Sequence, residues 1–298
     1  MSEGEAPLVL CFGEVLWDSL PRGLFPGGAP LNVAYHLRNF GLRPLLVTAV
    51  GRDRLGDELL RRLESWGIDT RGVVTDPERG TGLSRVALVE GSPEFEIAPD
   101  AAWDRIELSP AVLESAACSA AVVFGSLAQR SAHNRSRLEA LLHRCPSALK
   151  VFDANLRPPF DSIELVLELA RQADLVKVSD HELEAILGTA STATSLPDAA
   201  RRLAHRVGAR YVCVTAGARG SGLLVESRWY WRPTRPVPVR DSVGAGDALL
   251  AALLFGQLRG DESPERTLRR ASRFARFIVT QDGATPAYRL DSEGNLLS

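Results

Sequence analysis

The stretch "DSVGAGDALLAALL", Asp241 to Leu254, sets two glycines and two aspartates in front of a long apolar run. A glycine inside a helix costs about 1 kcal/mol relative to alanine, so Gly244 and Gly246 imply a use for bare backbone. The residues "LLAALLFGQL" that follow are apolar on every side, and a helix apolar all round is buried rather than laid on a surface. Its first turn is therefore expected to be buried too, although it carries unpaired N–H groups and a partial positive charge. With Gly244, Ala245 and Gly246 keeping side chains out of the way, such a start is a site for an anion.

Asp247 lies in the same turn. Its carboxylate is placed to accept the proton of an attacking hydroxyl while the neighbouring amides hold the phosphoryl group under attack, which is the architecture of phosphoryl transfer. The same residues also fit a plainer account, in which Gly-x-Gly relieves crowding and Asp247 complements the helix dipole.

Outward from this stretch, short β-rich runs alternate with amphipathic segments of helix length, which predicts an α/β fold with a largely parallel sheet. Strands are expected over Leu8–Phe12, Leu45–Val50, Ala121–Phe124, Leu149–Phe152, Leu175–Val178 and Tyr211–Thr215. Helices are expected over Asn32–Phe40, Gly56–Trp66, Ala132–Arg144, Ser162–Gln172, Asp180–Leu187, Leu196–Val207, Gly244–Leu258 and Pro264–Thr280. Between Val73 and Ile97 the period falls to two, with "EGSPE" as a turn. That reads as a hairpin-like insertion too small for its own core, lying across the main domain as a flap or pairing with another chain.

The 298 residues are 45% hydrophobic with a net charge of -2 and a pI near 6.3. These values suit a globular protein and give no electrostatic reason for a nucleic-acid or membrane partner. Cys11, Cys118, Cys145 and Cys213 are widely spaced without metal-ligand spacing, which predicts reduced thiols in a cytoplasmic protein. No run approaches the roughly 18 apolar residues of a membrane span. Neither lysine, Lys150 or Lys177, stands in a Gly-Lys-Ser/Thr loop. "GARGSG", Gly217 to Gly222, leads into the strand-like "LLVESRWYW" rather than a helix, so it reads as a hairpin turn and not a dinucleotide loop.

From Val9 to about Pro286 the chain resembles the ribokinase-like (PfkB) sugar kinases, and within them the fructokinases. "DSVGAGD" is similar to the family's Asp-Thr-x-Gly-Ala-Gly-Asp motif, with Ser242 in place of threonine. The resemblance implies Asp247 as base and the amides of Gly244, Ala245 and Gly246 as an anion hole. "PGGAPLNVAYHLRNFG" resembles Gly-Gly-x-x-x-Asn, implying Gly28 and Asn32 on the sugar hydroxyls, and "FGEVLWDSL" places Asp18 there as well. "FDANLRPPF" resembles Asp-x-Asn-x-Arg, which brings Asn155 and Arg157 to the phosphates or the sugar. A structural salt bridge would equally explain Arg157.

"VKVSDHELEAI" resembles Asn-x-x-Glu, implying Glu182 near Mg²⁺ through water, with Ser179 in the asparagine's place and Lys177 beside the nucleotide. On spacing alone the same residues make a helix cap. "VTAGARGSG" implies Thr215, Gly217 and Gly220 around ATP, and "FIVTQDGATP" implies Gly283 beside the adenine. Asp241 and the Val243 carbonyl would join a monovalent-cation site. "GRDRLGDEL", with Asp53, reads mainly as helix-start and loop stabilisation.

The resemblance further implies a three-layer α/β/α fold, one domain over 1–298 with a β-lid formed by about 13–20 and 73–102. The expected activity is ATP-dependent phosphorylation of a hexose, foremost fructose to fructose 6-phosphate, with Mg²⁺ and K⁺. Ketodeoxygluconate or a nucleoside is the alternative acceptor, and a non-catalytic sugar sensor the alternative class. A sugar acid would call for an arginine in the lid, for which Arg85 is the candidate, and a nucleoside for an aromatic stack. A homodimer through the lid is the expected assembly.

Overall fold

The computed structural model describes residues 5–20, 23–89, 92–160, 162–188 and 195–297. The chain runs β1 (Leu8–Phe12), β2 (Leu16–Leu20), β3 (Gly23–Gly27), α1 (Ala29–Asn39), β4 (Arg43–Gly51), α2 (Arg54–Ser65), β5 (Val73–Asp76), β6 (Gly82–Val89) and β7 (Ser92–Ile97). It continues through α3 (Pro110–Ser115), β8 (Ala121–Gly125), α4 (Ala132–Arg144), β9 (Leu149–Asp153), α5 (Ile163–Ala170), β10 (Leu175–Ser179) and α6 (Asp180–Leu187). It ends with α7 (Leu196–Val207), β11 (Tyr211–Thr215), β12 (Gly220–Val225), β13 (Arg228–Pro233), α8 (Ala245–Arg259) and α9 (Pro264–Ile278).

Nine strands form one sheet in the order β13-β12-β11-β10-β9-β8-β1-β4-β5, parallel except for the β11-β12-β13 meander. Its central strands, such as β1 and β8, are buried on both faces, and alternate residues feed two cores. On β1, Leu8, Leu10 and Phe12 join the core under α4 to α7, while Val9 and Cys11 join the core under α1, α2, α8 and α9. This is the three-layer sandwich that a doubly covered parallel sheet requires. Strand order reverses around β1, so ligand crevices are expected beyond the carboxyl ends of the neighbouring strands.

The segment expected to be one insertion, Val73 to Ile97, is divided. Val73–Asp76 pairs in parallel with β4 as the edge of the large sheet, because α2 supplies the crossover that returns the chain beside β4. The remainder, β6 and β7, pairs with β2 and β3 in a second, four-stranded sheet. Strand β3, unanticipated, brings Gly23–Gly27 into that sheet. Helix α1 begins at Ala29, three residues earlier than expected, since Gly28 is its N-cap and Pro30 is pre-set for a first turn. Asp53 caps α2 by accepting from Gly56 N at 2.8 Å and also binds Thr81 N and Oγ1. It thereby ties the helix start to the entry of β6.

Helix α8 is buried from Asp247 to Gly256 and packs against both α1 and α9. Leu250, Leu253 and Leu254 are wholly inaccessible, each worth roughly 1.5–3 kcal/mol of burial. Those contacts fix the position of the helix start. Of the "GARGSG" segment, Gly217–Arg219 form the turn between antiparallel β11 and β12, and Gly220 to Gly222 open β12. Among the described residues no helix is long and apolar enough to cross a membrane, and all four cysteines are free thiols.

Candidate active site

The N-cap of α8 is Gly244, at φ 76° and ψ -2°, with no side chain capping the first turn. A Cβ there would lie 2.4 Å from Cβ of Ala284, so only glycine fits both the left-handed backbone and the close approach. Gly244 to Gly246 are half-buried, not buried as expected, and apart from a long 3.4 Å bond from Ala245 N to the Ser242 carbonyl the first-turn amides are left for a ligand. Cavities of about 640 Å³ and 460 Å³ flank this point, and Ser242 and Gly246 line both.

The larger cavity collects residues far apart in sequence. Asp18 comes from β2, Gly28 and Asn32 from the start of α1, Arg157 from the loop after β9, and Val243, Gly244, Gly246 and Asp247 from the approach to α8. Asn32 Nδ2 donates to Asp247 Oδ2 at 2.8 Å. Burial pushes the Asp247 carboxyl up, against the opposing charge of Lys177, the Asn32 hydrogen bond and Arg157. Asp247 has no direct ion pair among the described residues and lies on the cavity wall, the disposition a general base needs.

Asp18 is pushed up to about 6, first by burial, against its hydrogen bond with Ser84 and the charge of Arg157. Gly27 lies directly beneath it, where a Cβ would fall 2.2 Å from Asp18 Oδ2. Gly28, at φ 108°, has its Cβ direction filled by the Glu14 carbonyl at 2.4 Å. The Gly-Gly pair therefore lets β2 and the α1 start close on one another.

Glu14 was missed by the motif reading. It is buried on the wall of the same cavity, its Oε1 accepts from Ala29 N at 3.2 Å, and its Oε2 has no protein partner. Burial raises its carboxyl to about 7. Asn32 Oδ1 is likewise buried without a partner. Two orphaned oxygens on one wall suit a ligand rich in hydroxyl donors. The signal available in the sequence was a glutamate following a wholly apolar strand through one glycine.

Lys177, expected beside the nucleotide, lines the larger cavity instead. Its Nζ donates to both Asp153 oxygens at 2.8 Å, and it lies below Gly246, whose added Cβ would sit 2.9 Å from Nζ. Burial acts to lower the ammonium's pKa, but the charges of Asp153, Asp247 and Glu182 outweigh it, so Lys177 stays protonated. A fixed cation is thus added beneath the helix start.

Thr215, Gly217, Gly220, Ala245 and Gly246 line the smaller cavity. Ser179, Glu182, Asp241 and Gly283 line neither. Ser179 and Glu182 form the capping box of α6, and Glu182 also accepts from Leu156 N at 2.8 Å. The carboxylate thus ties the β9 loop to the β10 end, and each oxygen keeps a lone pair for water. Asp241 accepts from Val243 N at 3.0 Å and Gly283 N at 3.2 Å, joining the two loops that flank the α8 start. Among the described residues no cluster of three or more His, Cys, Asp or Glu is arranged to hold a metal.

Bare helical amides, a buried carboxylate and a cavity whose wall carries Asp18, Asn32 and Arg157, on a three-layer α/β frame, define a kinase of small hydroxyl compounds. Residues 22–289 match the family model described as pfkB family carbohydrate kinase, and the chain belongs to that family. It is 32% identical to probable fructokinase-3 of Arabidopsis thaliana over 98% of this chain and 91% of that one. It is 30% identical to fructokinase-1 of Oryza sativa subsp. japonica over 97% of each. Among solved structures it is similar to fructokinase with bound ATP from Xylella fastidiosa, with a TM-score of 0.83 and 27% identity over 96% of each chain.

Proposed function

We propose that the protein is an ATP-dependent fructokinase, transferring the γ-phosphoryl of ATP to the primary hydroxyl of fructose to give fructose 6-phosphate. The observation that carries this reading is the meeting of the two cavities at Ser242 and Gly246, beside Asp247. A sugar in the larger cavity and a triphosphate in the smaller one would bring acceptor and donor to the same helix start. The fructokinase relatives, similar over nearly the full chain, supply the substrate class.

In this reading Asp18, Gly28 and Asn32 orient the sugar, with Glu14 beside them. Asp247 takes the hydroxyl proton, and the Gly244 to Gly246 amides hold the negative charge of the transferring group. Arg157 and Lys177 add positive charge on the same wall. Thr215, Gly217 and Gly220 border the nucleotide. The donor set suits Mg²⁺ carried mainly by phosphates and water, with Glu182 in the outer shell, where the ion neutralises phosphate charge. The loops joined by Asp241 offer the Val243 carbonyl to a monovalent cation such as K⁺, and Gly283 sits in the second of them.

The second sheet contributes Asp18, Ser84 and Ile97 to the sugar-side wall. As a lid it excludes water that would otherwise take the phosphoryl group, and pairing of two lids would make a homodimer. A cytoplasmic setting completes the reading. Arg85 is exposed and off the wall, and no aromatic side chain lines the larger cavity among the described residues. Both facts favour a neutral sugar over ketodeoxygluconate or a nucleoside. ADP release from ATP and Mg²⁺, measured across fructose, other hexoses, ribose, ketodeoxygluconate and adenosine, with and without K⁺, tests the reading. Turnover confined to a nucleoside or sugar acid overturns the acceptor, and sugar binding without turnover makes the protein a sensor.

A further inference from the structure

Next to the smaller cavity lies a groove of about 360 Å³ whose walls carry five arginines, Arg232, Arg235, Arg269, Arg273 and Arg276, and no carboxylate. Arg232 lies on β13 and Arg235 just beyond it, while Arg269, Arg273 and Arg276 follow one face of α9. No ion pair joins any of the five to a carboxylate among the described residues. Other arginines of the same helix behave differently: Arg266 and Arg270 are both paired with Glu262. Like charges at i,i+4 destabilise a helix. A solvated face would intersperse acids, as Glu262 and Glu265 do at the start of α9, whereas a row facing a second basic wall concentrates positive potential.

We propose that this groove is a binding site for a small, multiply phosphorylated anion, separate from the position of the transferring phosphoryl group. Planar guanidinium forks on two facing walls match phosphate oxygens. The volume accommodates a few phosphate groups but no nucleic-acid duplex. Thr234, Arg235, Ser272 and Arg276 belong to the groove and to the smaller cavity alike, so an occupant of the groove lies against whatever fills that cavity. The location next to bound nucleotide rests on the ATP reading above; the basic groove itself does not.

The test is calorimetric titration of inorganic tripolyphosphate into the full chain saturated with a non-hydrolysable ATP analogue, at low and moderate salt. One equivalent is expected to bind with the analogue in place, more weakly as salt rises. Affinity is expected to fall about tenfold or more in Arg269→Ala/Arg273→Ala, and clearly in Arg232→Ala on the opposite wall. These surface changes remove like-charge repulsion, so a retained thermal midpoint confirms that the variants are folded. No binding with the analogue in place, displacement of the analogue, or unchanged affinity in both variants overturns the proposal. Tighter binding of a single-stranded oligonucleotide than of tripolyphosphate overturns it as well, by making the groove a polynucleotide surface. Failure of the analogue itself to bind sinks the ATP reading instead, and the variants then test the groove with tripolyphosphate alone.

Discussion

Asn32 and Asp247, 215 positions apart in the chain, are joined by a 2.8 Å hydrogen bond from Asn32 Nδ2 to Asp247 Oδ2. The bond orients the carboxylate, holds part of its charge and leaves Oδ1 of each residue without a bond to the other. Replacing Asp247 by Asn removes the proton acceptor while keeping the shape. Turnover is expected to fall about 10²–10⁴-fold with the thermal midpoint retained. Near-native turnover by the folded variant would end the general-base assignment.

Acid inactivation should begin at unusually high pH. Asp18 is raised to about 6 and Asp247 is raised by burial, so both gain protons well above the ordinary carboxylate range. The acid limb of kcat/KM is accordingly expected near the Asp18 value, with activity present above it and lost as pH falls through it. A limb centred at about 4, where unperturbed carboxylates titrate, would contradict the burial of this wall.

Glu14 makes a separate prediction, for stability. Its carboxyl rises from an ordinary 4.5 to about 7 on folding, so between those values the native state binds more protons than the unfolded chain. Stability contributed by this group is full below 4.5, declines as pH rises and is lost above 7, a span of roughly 3 kcal/mol at most. Glu14→Gln should remove that decline and raise the ligand-free thermal midpoint at about pH 8, while weakening sugar binding. Parallel pH curves for both proteins would refute it.

The two glycines of the helix start should fail differently. Gly244→Ala forces a Cβ against Ala284 at positive φ, so thermal stability should drop along with activity. At Gly246 the nearest obstacle is the end of the Lys177 side chain, 2.9 Å away on the cavity wall, rather than backbone or a left-handed φ. Gly246→Ala should therefore keep its melting temperature and lose turnover. Equal destabilisation by both changes would mean that Gly246 serves packing alone.

Lys177→Met leaves Asp153 buried without its cation, a change expected to cost about 3–5 kcal/mol. Adding Asp153→Leu should restore most of the stability, since an apolar pair replaces the ion pair. If Lys177 supports the anion hole, the restored double variant stays poor in turnover. Recovery of both properties would reduce the pair to a structural role.

The sequence by itself determined the α/β rhythm, most of the strands and helices, and the bare start of α8 with Asp247 in its first turn, although Gly244 to Gly246 are half-buried rather than buried. Those features are local: period, glycine placement and an all-apolar run are readable within about fifteen residues. Only the tertiary structure decided that Val73–Asp76 joins the large sheet, that Lys177 sits under Gly246 with Asp153, and that Glu14 faces the same cavity as Asp18. It likewise drew the arginines of β13 and α9 into one groove that no run of like charge announces, and tied Glu182, whose capping role is legible in the spacing, to the amide of Leu156. Each of these depends on Coulombic, desolvation and pairing energies between residues distant in the chain. Such energies exist only once packing has set the distances.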